Sequence, residues 1–262
     1  MTERTAIVTG GLTGIGLASA KALVRAGHRL AIGSRQAEAP DQASRIRDSL
    51  GTSVMLGTLD VGCDDSVNRF VATVRETLGT PQILVNAAGI YRETFLGDGD
   101  AASQEETDGN WSDQINVNLN GPFRMIRAVF PGMVRTRWGR IVNIASTAAS
   151  TGASGYAGYC ASKSGLVGLG MAVSKEGAPH GITCVSISPT WVETPMMARA
   201  VDRMARAAGT NAARILSDLE RSNPQRRLVQ PEEVAELVRF CCSDAVPALT
   251  HTDIPVNAGA NW

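Results

Sequence analysis

Thr9-Gly10-Gly11-Leu12-Thr13-Gly14-Ile15-Gly16 links a short apolar run, residues 6–8, to a segment of helical periodicity over residues 14–26. Gly10 can adopt a positive φ where the strand ends, Gly14 lets the backbone approach a pyrophosphate, and Gly16 lets the helix pack closely on the sheet. The free N–H groups at the start of such a helix bind phosphate. The stretch therefore predicts a strand–turn–helix unit for a dinucleotide, although a tight turn without a ligand would show the same glycines.

Apolar runs alternate with segments of helical period along the rest of the chain. The runs that predict strands are residues 6–8, 30–32, 54–56, 83–85, 141–144 and 184–187. Helical patterns occupy a stretch that ends at Leu50, residues 65–78, 111–135 and 160–177, and a stretch that begins after Pro231. Strands that are apolar on both faces and alternate with helices form parallel sheets covered on both sides. We therefore expect one doubly wound α/β domain over residues 1–262.

Two segments depart from this alternation. Residues 92–110 are polar and contain glycines and several acids, so we expect a solvated surface loop there. In residues 190–222 one helical pattern follows another without a strand. Insertions of this kind lie on the surface and often cover a site, so we expect residues 193–222 to form a lid over the substrate.

The composition argues against several function classes. The 25 basic and 25 acidic residues give a formal net charge of zero, so nothing favours nucleic acid or a membrane as partner. The 3 histidines lie in no cluster with ligand spacing, and we expect no bound metal. The 5 cysteines lack Cys-x-x-Cys spacing, which favours free thiols in a reducing compartment. Because neither a signal-peptide pattern nor an apolar stretch of about 20 residues is present, we expect a cytoplasmic protein.

The end of the second strand bears on the choice of cofactor. An NAD site usually places an acid there to bind the ribose 2′-hydroxyl, whereas an arginine suits the 2′-phosphate of NADP. Here the strand ends Ile32-Gly33-Ser34-Arg35, without a carboxylate. Arg35 is therefore a candidate phosphate ligand, and NADP(H) is favoured over NAD(H). A solvated loop arginine is the alternative interpretation.

Four blocks of sequence together resemble the short-chain dehydrogenase/reductase family, and its 3-oxoacyl reductases in particular. They are residues 9–16, Asn86-Ala87-Ala88-Gly89, Tyr159-Cys160-Ala161-Ser162-Lys163, and Pro189-Thr190-Trp191-Val192-Glu193-Thr194-Pro195-Met196. The resemblance implies a seven-stranded parallel sheet of order 3-2-1-4-5-6-7 in a Rossmann-type fold and a homotetramer or homodimer. It also implies hydride transfer between NADP(H) or NAD(H) and a ketone or secondary alcohol.

The resemblance also assigns residues to the cofactor. Asp60 and Val61 would lie by the adenine, and residues 86–89 would support the cofactor from the central sheet. Pro189, Val192 and Thr194 would face the nicotinamide. The full predicted set is Gly10, Leu12, Thr13, Gly14, Ile15, Gly16, Ser34, Arg35, Asp60, Val61, Asn86, Ala87, Ala88, Gly89, Tyr159, Lys163, Pro189, Val192 and Thr194. Thr13 departs from the basic residue that many NADP-preferring members carry, so Arg35 alone argues for the phosphate.

Tyr159 and Lys163 are candidate catalytic residues, four positions apart on a predicted helix, so that both project from one face. A free tyrosine has a pKa near ~10, and an adjacent ammonium favours the phenolate. We therefore expect Lys163 to bring the pKa of Tyr159 towards the operating pH, where a general acid works best. Ser146 precedes Tyr159 by the interval that the family uses. Asn118, in Asn116-Val117-Asn118-Leu119-Asn120-Gly121, matches the family's fourth catalytic residue.

By analogy with the family, nicotinamide delivers hydride to the carbonyl carbon while Ser146 orients the oxygen and Tyr159 donates the proton. Lys163 would bind the nicotinamide ribose, and Asn118 would hold a water in a proton relay to that lysine. The favoured substrates are 3-oxoacyl thioesters or polyketide-like ketones. Alternatives are an NAD-dependent dehydrogenase of sugars or secondary alcohols and, from another class, a non-catalytic nucleotide-sensing scaffold on the same fold.

Overall fold

The computed structural model describes residues 2–37, 39–51, 54–97 and 101–260, and only the backbone of residues 101–103. The described residues form a seven-stranded parallel sheet of order β3-β2-β1-β4-β5-β6-β7, as predicted. Its strands are β1 (Thr5–Thr9), β2 (Arg29–Ser34), β3 (Met55–Thr58), β4 (Pro81–Asn86), β5 (Gly139–Ile144), β6 (Ile182–Pro189) and β7 (Thr252–Val256).

Helices connect the strands. They are α1 (Gly14–Arg25), α2 (Pro40–Leu50), α3 (Asp64–Leu78), α4 (Ala101–Ile115), α5 (Gly121–Thr136), α6 (Ala148–Thr151), α7 (Ala157–Gly177), α8 (Pro195–Ala207), α9 (Ala212–Ser222) and α10 (Pro231–Cys241). A π-helical turn, Asn116–Asn120, joins α4 to α5, and a 3₁₀ turn, Ala178–His180, follows α7. In the part of the chain that the structure describes, no helix is both long and apolar enough to cross a membrane.

Each face of the sheet carries its own apolar core, because successive strand side chains point to opposite faces. Val8, Ile32 and Val85 pack with side chains of α1, α2 and α10 on one face. Ile7 and Leu84 pack with those of α3, α5 and α7 on the other. The strands β1, β5 and β6 are buried on both faces as predicted, whereas the edge strands β3 and β7 are largely half-buried. This sheet fixes the loops that follow its carboxyl ends.

The order of the strands decides where the loops gather. The chain runs outward from β1 to β3 on one side and from β4 to β7 on the other, so the order reverses between β1 and β4. Ligands of doubly wound sheets bind at such a reversal, outside the carboxyl ends of the strands. The loop after β1 and residues 87–89 after β4 meet at this point.

The predicted surface loop at 92–110 is wrong over its second half. Residues 101–110 form the first part of α4, while residues 98–100 lie outside the described residues. The stretch from Gln104 to Asn110 is exposed or half-buried, so this part of α4 lacks the apolar stripe from which a helix could have been predicted. In the remainder of the segment, Thr94 forms an isolated parallel bridge with Tyr156.

Helices α8 and α9 follow one another without a strand, as the pattern predicts. Met197 and Val201 of α8 pack with Leu228 and with apolar side chains of α9 in a small cluster separate from both sheet cores. The Thr194 hydroxyl caps α8 by accepting a hydrogen bond from the Met197 N–H at 3.2 Å. This helix pair therefore forms a substructure beside the carboxyl edge of the sheet.

Candidate active site

A cavity of about 510 Å³ opens at the carboxyl edge of the sheet. It is lined by 17 of the predicted site residues: Gly10, Leu12, Thr13, Gly14, Ile15, Gly16, Ser34, Arg35, Ala87, Ala88, Gly89, Ser146, Tyr159, Lys163, Pro189, Val192 and Thr194. Asp60, Val61, Asn86 and Asn118 do not line it. Residues from several loops and helices thus converge on one space, which local sequence patterns alone could not show.

The glycine turn at the base of the cavity has the conformation that its sequence predicts. Gly10 has a φ of 68° and Gly14 a φ of 52°, values that L side chains rarely adopt. A Cβ on Gly16 would lie 2.3 Å from the Gly10 carbonyl oxygen, so glycine at this position lets the start of α1 lie directly against the turn that follows β1. A Cβ on Gly10 would meet the backbone of Ala88 at 2.8 Å. The absence of a side chain at Gly10 therefore lets the loops after β1 and β4 lie in contact.

The start of α1 fits an anionic ligand. Its N-cap residue, Thr13, makes no side-chain capping hydrogen bond, and the first turn contains no acidic residue. The uncapped N–H groups and the positive end of the helix dipole thus face the cavity that Thr13 to Gly16 line. This is an arrangement that binds the pyrophosphate of a dinucleotide.

Thr9 is a structural residue of this region that sequence reasoning missed. Its hydroxyl oxygen accepts hydrogen bonds from the backbone N–H groups of Ala87 and Ala88, both at 3.1 Å. It thereby ties the end of β1 to the loop after β4. The only signal in the sequence is a polar residue at the end of an apolar strand, which is too general to identify this contact.

Tyr159 and Lys163 occupy neighbouring turns of α7 and both face the cavity. The Lys163 Nζ donates a hydrogen bond to the Ile144 carbonyl oxygen at 2.7 Å and lies 5.7 Å from the centroid of the Tyr159 ring. Ser146 follows β5, and its side chain is hydrogen-bonded to that of Tyr159. The Ser146 oxygen also accepts a hydrogen bond from the Ala148 N–H at 3.2 Å, which fixes the position of the hydroxyl.

The pKa of Tyr159 shifts in the direction opposite to our expectation. Burial raises it to about 12, and the hydrogen bond with Ser146 only partly offsets that effect. Burial also lowers the pKa of Lys163 to about 8. The expectation failed because it counted the attraction between an ammonium and a phenolate but not the loss of water around both groups.

Asn118 is fully buried in the π-helical turn, beside the cavity rather than in its wall. Its side-chain oxygen accepts a hydrogen bond from the Ile90 N–H at 2.8 Å, and its amide donates to the Ile90 carbonyl at 2.9 Å and to the Ser162 hydroxyl at 3.1 Å. The side chain therefore holds the loop after Gly89 against α7. The predicted water relay stays a prediction.

The three other residues outside the cavity also contact protein. The Asp60 carboxylate accepts a hydrogen bond from the Gly62 N–H at 2.8 Å, and Val61 packs against Gly121 at the start of α5. The Asn86 amide donates to the Asn143 side-chain oxygen on β5 at 2.9 Å. We expected these three residues beside the cofactor, but none of them lines the cavity.

Residues 10–261 match the family described as enoyl-(acyl carrier protein) reductase. The chain belongs to the short-chain dehydrogenase/reductase family. It is 35% identical over 259 residues to the 3-oxoacyl-[acyl-carrier-protein] reductase FabG of Pseudomonas aeruginosa, with 98% of this chain and 96% of the relative covered. It is 34% identical over 258 residues to the acetoacetyl-CoA reductase of Allochromatium vinosum, with 98% of each chain covered.

A solved member of the family has the same architecture. The crystal structure of a single-residue variant of actinorhodin polyketide ketoreductase with NADPH superposes with a TM-score of 0.89 at 34% identity, covering 99% of this chain and 98% of that chain. The predicted family, the strand order and the class of nicotinamide-dependent oxidoreductase are thus confirmed.

Proposed function

We propose that the chain is an NADP(H)-dependent reductase of ketones, with 3-oxoacyl thioesters or polyketide-like ketones as substrates. The observation that carries this proposal is the convergence of Ser146, Tyr159 and Lys163 on the cavity that also contains the glycine turn. The names of the relatives support the substrate class, since they are reductases of 3-oxoacyl-[acyl-carrier-protein] and acetoacetyl-CoA. A non-catalytic scaffold would not need this set of side chains.

Bound NADPH would supply the hydride. Ser146 would donate a hydrogen bond to the carbonyl oxygen and hold it beside the Tyr159 hydroxyl. Tyr159, whose pKa is raised to about 12, holds its proton throughout the neutral range and can donate it to that oxygen as negative charge develops. Lys163 would bind the ribose hydroxyls and supply positive charge, and Asn118 would hold the relay water.

Arg35 supports the choice of NADP(H). It is exposed at the cavity wall directly after Ser34, where β2 ends. Within the described ranges it forms no ion pair, so its guanidinium is free of competing carboxylates there. The solved ketoreductase that this chain resembles contains NADPH. A guanidinium at this place would pair with the 2′-phosphate.

The proposal is tested with the variant Tyr159→Phe. NADPH oxidation with ketone substrates should fall by about 10²–10⁴-fold because the proton donor is lost. The Kd for NADPH, measured by fluorescence titration, should change less than about twofold, because the ring and its packing stay in place. Full turnover in this variant would refute the assignment of Tyr159. Oxidation of sugars or simple secondary alcohols with NAD⁺, without any ketone reduction, would favour the alternative dehydrogenase.

Three further features belong to this proposal. Residues 193–222 would act as the lid, since α8 contributes Met196 and Arg199 to the cavity wall.

The exposed aromatic side chains Trp111 and Phe123 support a homotetramer or homodimer. A monomer in light scattering of the purified protein would refute this. A cytoplasmic location is supported by the free cysteines, of which Cys184, Cys241 and Cys242 are buried, and secretion with disulfides would refute it.

A further inference from the structure

Tyr91 lies beside the reacting hydroxyl, and the proposed reaction gives it no role. It lines the cavity two residues after Gly89, and its ring centroid lies 4.8 Å from that of Tyr159 at an interplanar angle of 89°. The backbone just before it is fixed, because both polar groups of Ile90 are hydrogen-bonded to the buried side chain of Asn118. Tyr91 is thus part of the wall that the reacting end of a substrate meets.

The orientation of the Tyr91 ring is held from outside the cavity. The ring stacks on Tyr156 with centroids 4.4 Å apart and an interplanar angle of 12°. The Arg203 guanidinium of α8 lies 5.8 Å from the Tyr91 ring centroid. Glu93 contacts both Tyr156 and Arg203: it accepts a hydrogen bond from the Tyr156 hydroxyl at 3.3 Å and forms an ion pair with Arg203 at 3.8 Å. Stacked aromatic rings with such supports present a rigid surface.

Trp191, in the loop that follows β6, extends this surface. Its ring lies 6.3 Å from that of Tyr91 at an interplanar angle of 84°, and both side chains line the cavity. The segment after Ser146 contributes small residues to the same cavity, Gly152 and Ala153 among them. A substrate therefore meets aromatic side chains next to Tyr159, with room for a wide group beside the small residues.

A linear 3-oxoacyl chain and a ring ketone use such a wall differently. A flexible chain gains only contact area from an aromatic surface and loses rotational freedom when it is ordered there. A flat ring system is already rigid and gains edge-to-face or stacking contacts in addition to its buried area. Rigid aromatic walls beside the proton donor thus favour a carbonyl that is part of a ring.

We propose, on the basis of the ketone reduction proposed above, that the aromatic cluster of Tyr91, Tyr156 and Trp191 selects ketones whose carbonyl lies on a flat aromatic or conjugated ring system over linear 3-oxoacyl chains. Tyr91 and Trp191 contact the substrate, and Tyr156 and Arg203 position Tyr91. The specificity of the enzyme is then set by side chains on both sides of the cleft.

The test compares two ketones of similar size, 1-tetralone, which carries its carbonyl on a fused aromatic ring system, and linear ethyl 3-oxohexanoate. The measured quantity is the ratio of their kcat/KM values with NADPH. In Tyr91→Leu this ratio should fall about tenfold relative to the unmodified protein, as the loss of an aromatic contact implies. Tyr91→Phe keeps the ring and should hold the ratio within about threefold.

Phe240→Leu on α10 is the matched control, because it removes an exposed aromatic ring that does not line the cavity. If Tyr91→Leu misfolds by circular dichroism, Trp191→Leu tests the second aromatic side chain by the same ratio. An unchanged ratio in a folded leucine variant that still reduces both ketones overturns the selection by the aromatic cluster and leaves the proposed reductase intact. If the unmodified protein reduces neither ketone nor any other with NADPH, the reductase proposal itself fails.

Discussion

Lys163 is the side chain that should govern the pH dependence of reduction. Its pKa is lowered to about 8 by burial, so the ammonium is charged below pH 8 and loses its proton above it. Tyr159, with a pKa of about 12, stays protonated across the same range. Because the proposed reaction uses the Lys163 ammonium, we expect kcat/KM for ketone reduction to be flat below pH 8 and to fall up to about tenfold per pH unit above it.

A pH–rate profile of Lys163→Gln is the control. The variant should be slower at every pH and should lack the decline near pH 8, because nothing at that position titrates. The same burial has a cost in stability. The pKa of Lys163 in the folded protein lies below the ordinary 10.5, so the loss of folding stability is complete below pH 8 and disappears above pH 10.5. A profile of the unmodified protein that stays flat to pH 10 would contradict the role of the ammonium.

Arg35 makes a separate prediction about cofactor choice. Arg35→Ala should weaken NADPH binding by about tenfold, because one charge-assisted contact to the 2′-phosphate is lost at an exposed place. The Kd for NADH should stay within about twofold, since NADH carries no phosphate there. Fluorescence titration with both nucleotides measures the two values. Equal losses for NADPH and NADH would show that Arg35 supports the fold of the loop rather than the phosphate.

The sequence predicted some residues of the site better than others. Ser146, Tyr159 and Lys163 could be found because their spacing is fixed and their chemistry demands those residue types. Thr9 and Tyr91 could not, because their partners lie far away in the chain. Thr9 contacts residues 78 and 79 positions further on, and Tyr91 stacks on Tyr156. The direction of the Tyr159 pKa also required the burial of both groups, which spacing does not reveal.

The β1–α1 unit carries a prediction at the level of an element. In Gly16→Ala the new Cβ would lie 2.3 Å from the Gly10 carbonyl oxygen, a contact that neither backbone segment can relieve without moving. The start of α1 would then shift away from the turn. We expect the Kd for NADPH to rise by at least about tenfold and the midpoint of thermal unfolding to drop, because overpacking costs about 1–3 kcal/mol.

Gly27→Ala provides the comparison for that variant. Gly27 directly follows the C-cap residue of the same helix with a φ of 84°, and a Cβ there would meet nothing within 4 Å. Its replacement should lower stability through backbone strain alone and leave nucleotide binding in the folded protein unchanged. Similar losses of nucleotide affinity in both variants would mean that the close contact at Gly16 is not what shapes the phosphate site.

Elements with a clear apolar period were predictable, and α4 shows why others were not. The strands β1 to β6 and helix α3 are bounded by turns and carry apolar side chains at regular spacing, which β7 does not. The stretch from Gln104 to Asn110 of α4 is polar and exposed or half-buried, so its helical conformation is supported by the helix formers Gln104, Glu105 and Glu106 and not by an apolar stripe. The presence of Gly109 and the absence of a buried face favoured a loop assignment.

At the scale of the whole molecule, periodicity predicted a parallel sheet but not its strand order. That order came from the resemblance to a family, because apolar runs do not show which strands are neighbours. The resemblance also supplied the seventh strand, since β7 contains Asp253 and Pro255 and is not among the six predicted apolar runs. The order places the loops after β1, β4, β5 and β6 on one edge, with α8 and α9 beside them. The proposed site therefore combines a rigid sheet edge with a helix pair whose apolar cluster is separate from both sheet cores.

The few contacts between the proposed lid, residues 193–222, and the rest of the protein predict that it opens locally. Its small apolar cluster is separate from the sheet cores, and its polar links to the body include the Arg203–Glu93 pair at 3.8 Å and the Gln230–Glu193 hydrogen bond at 2.9 Å. Segments with few buried contacts open at lower free energy than core strands. Without nucleotide, backbone amides of residues 195–222 should therefore exchange hydrogen faster than those of β1 and β4.

Saturating NADPH should slow that exchange, because Thr194 at the base of the lid lines the cavity and nucleotide binding favours the closed arrangement. The protection should be the same in Tyr159→Phe, since it depends on binding and not on turnover. It should be weaker in Arg203→Met, which loses the contacts to Glu93 and Tyr91. Hydrogen exchange followed by mass spectrometry resolves the segment. A lid as protected as β1 without nucleotide, and unchanged by NADPH, would show that α8 and α9 belong to the rigid body.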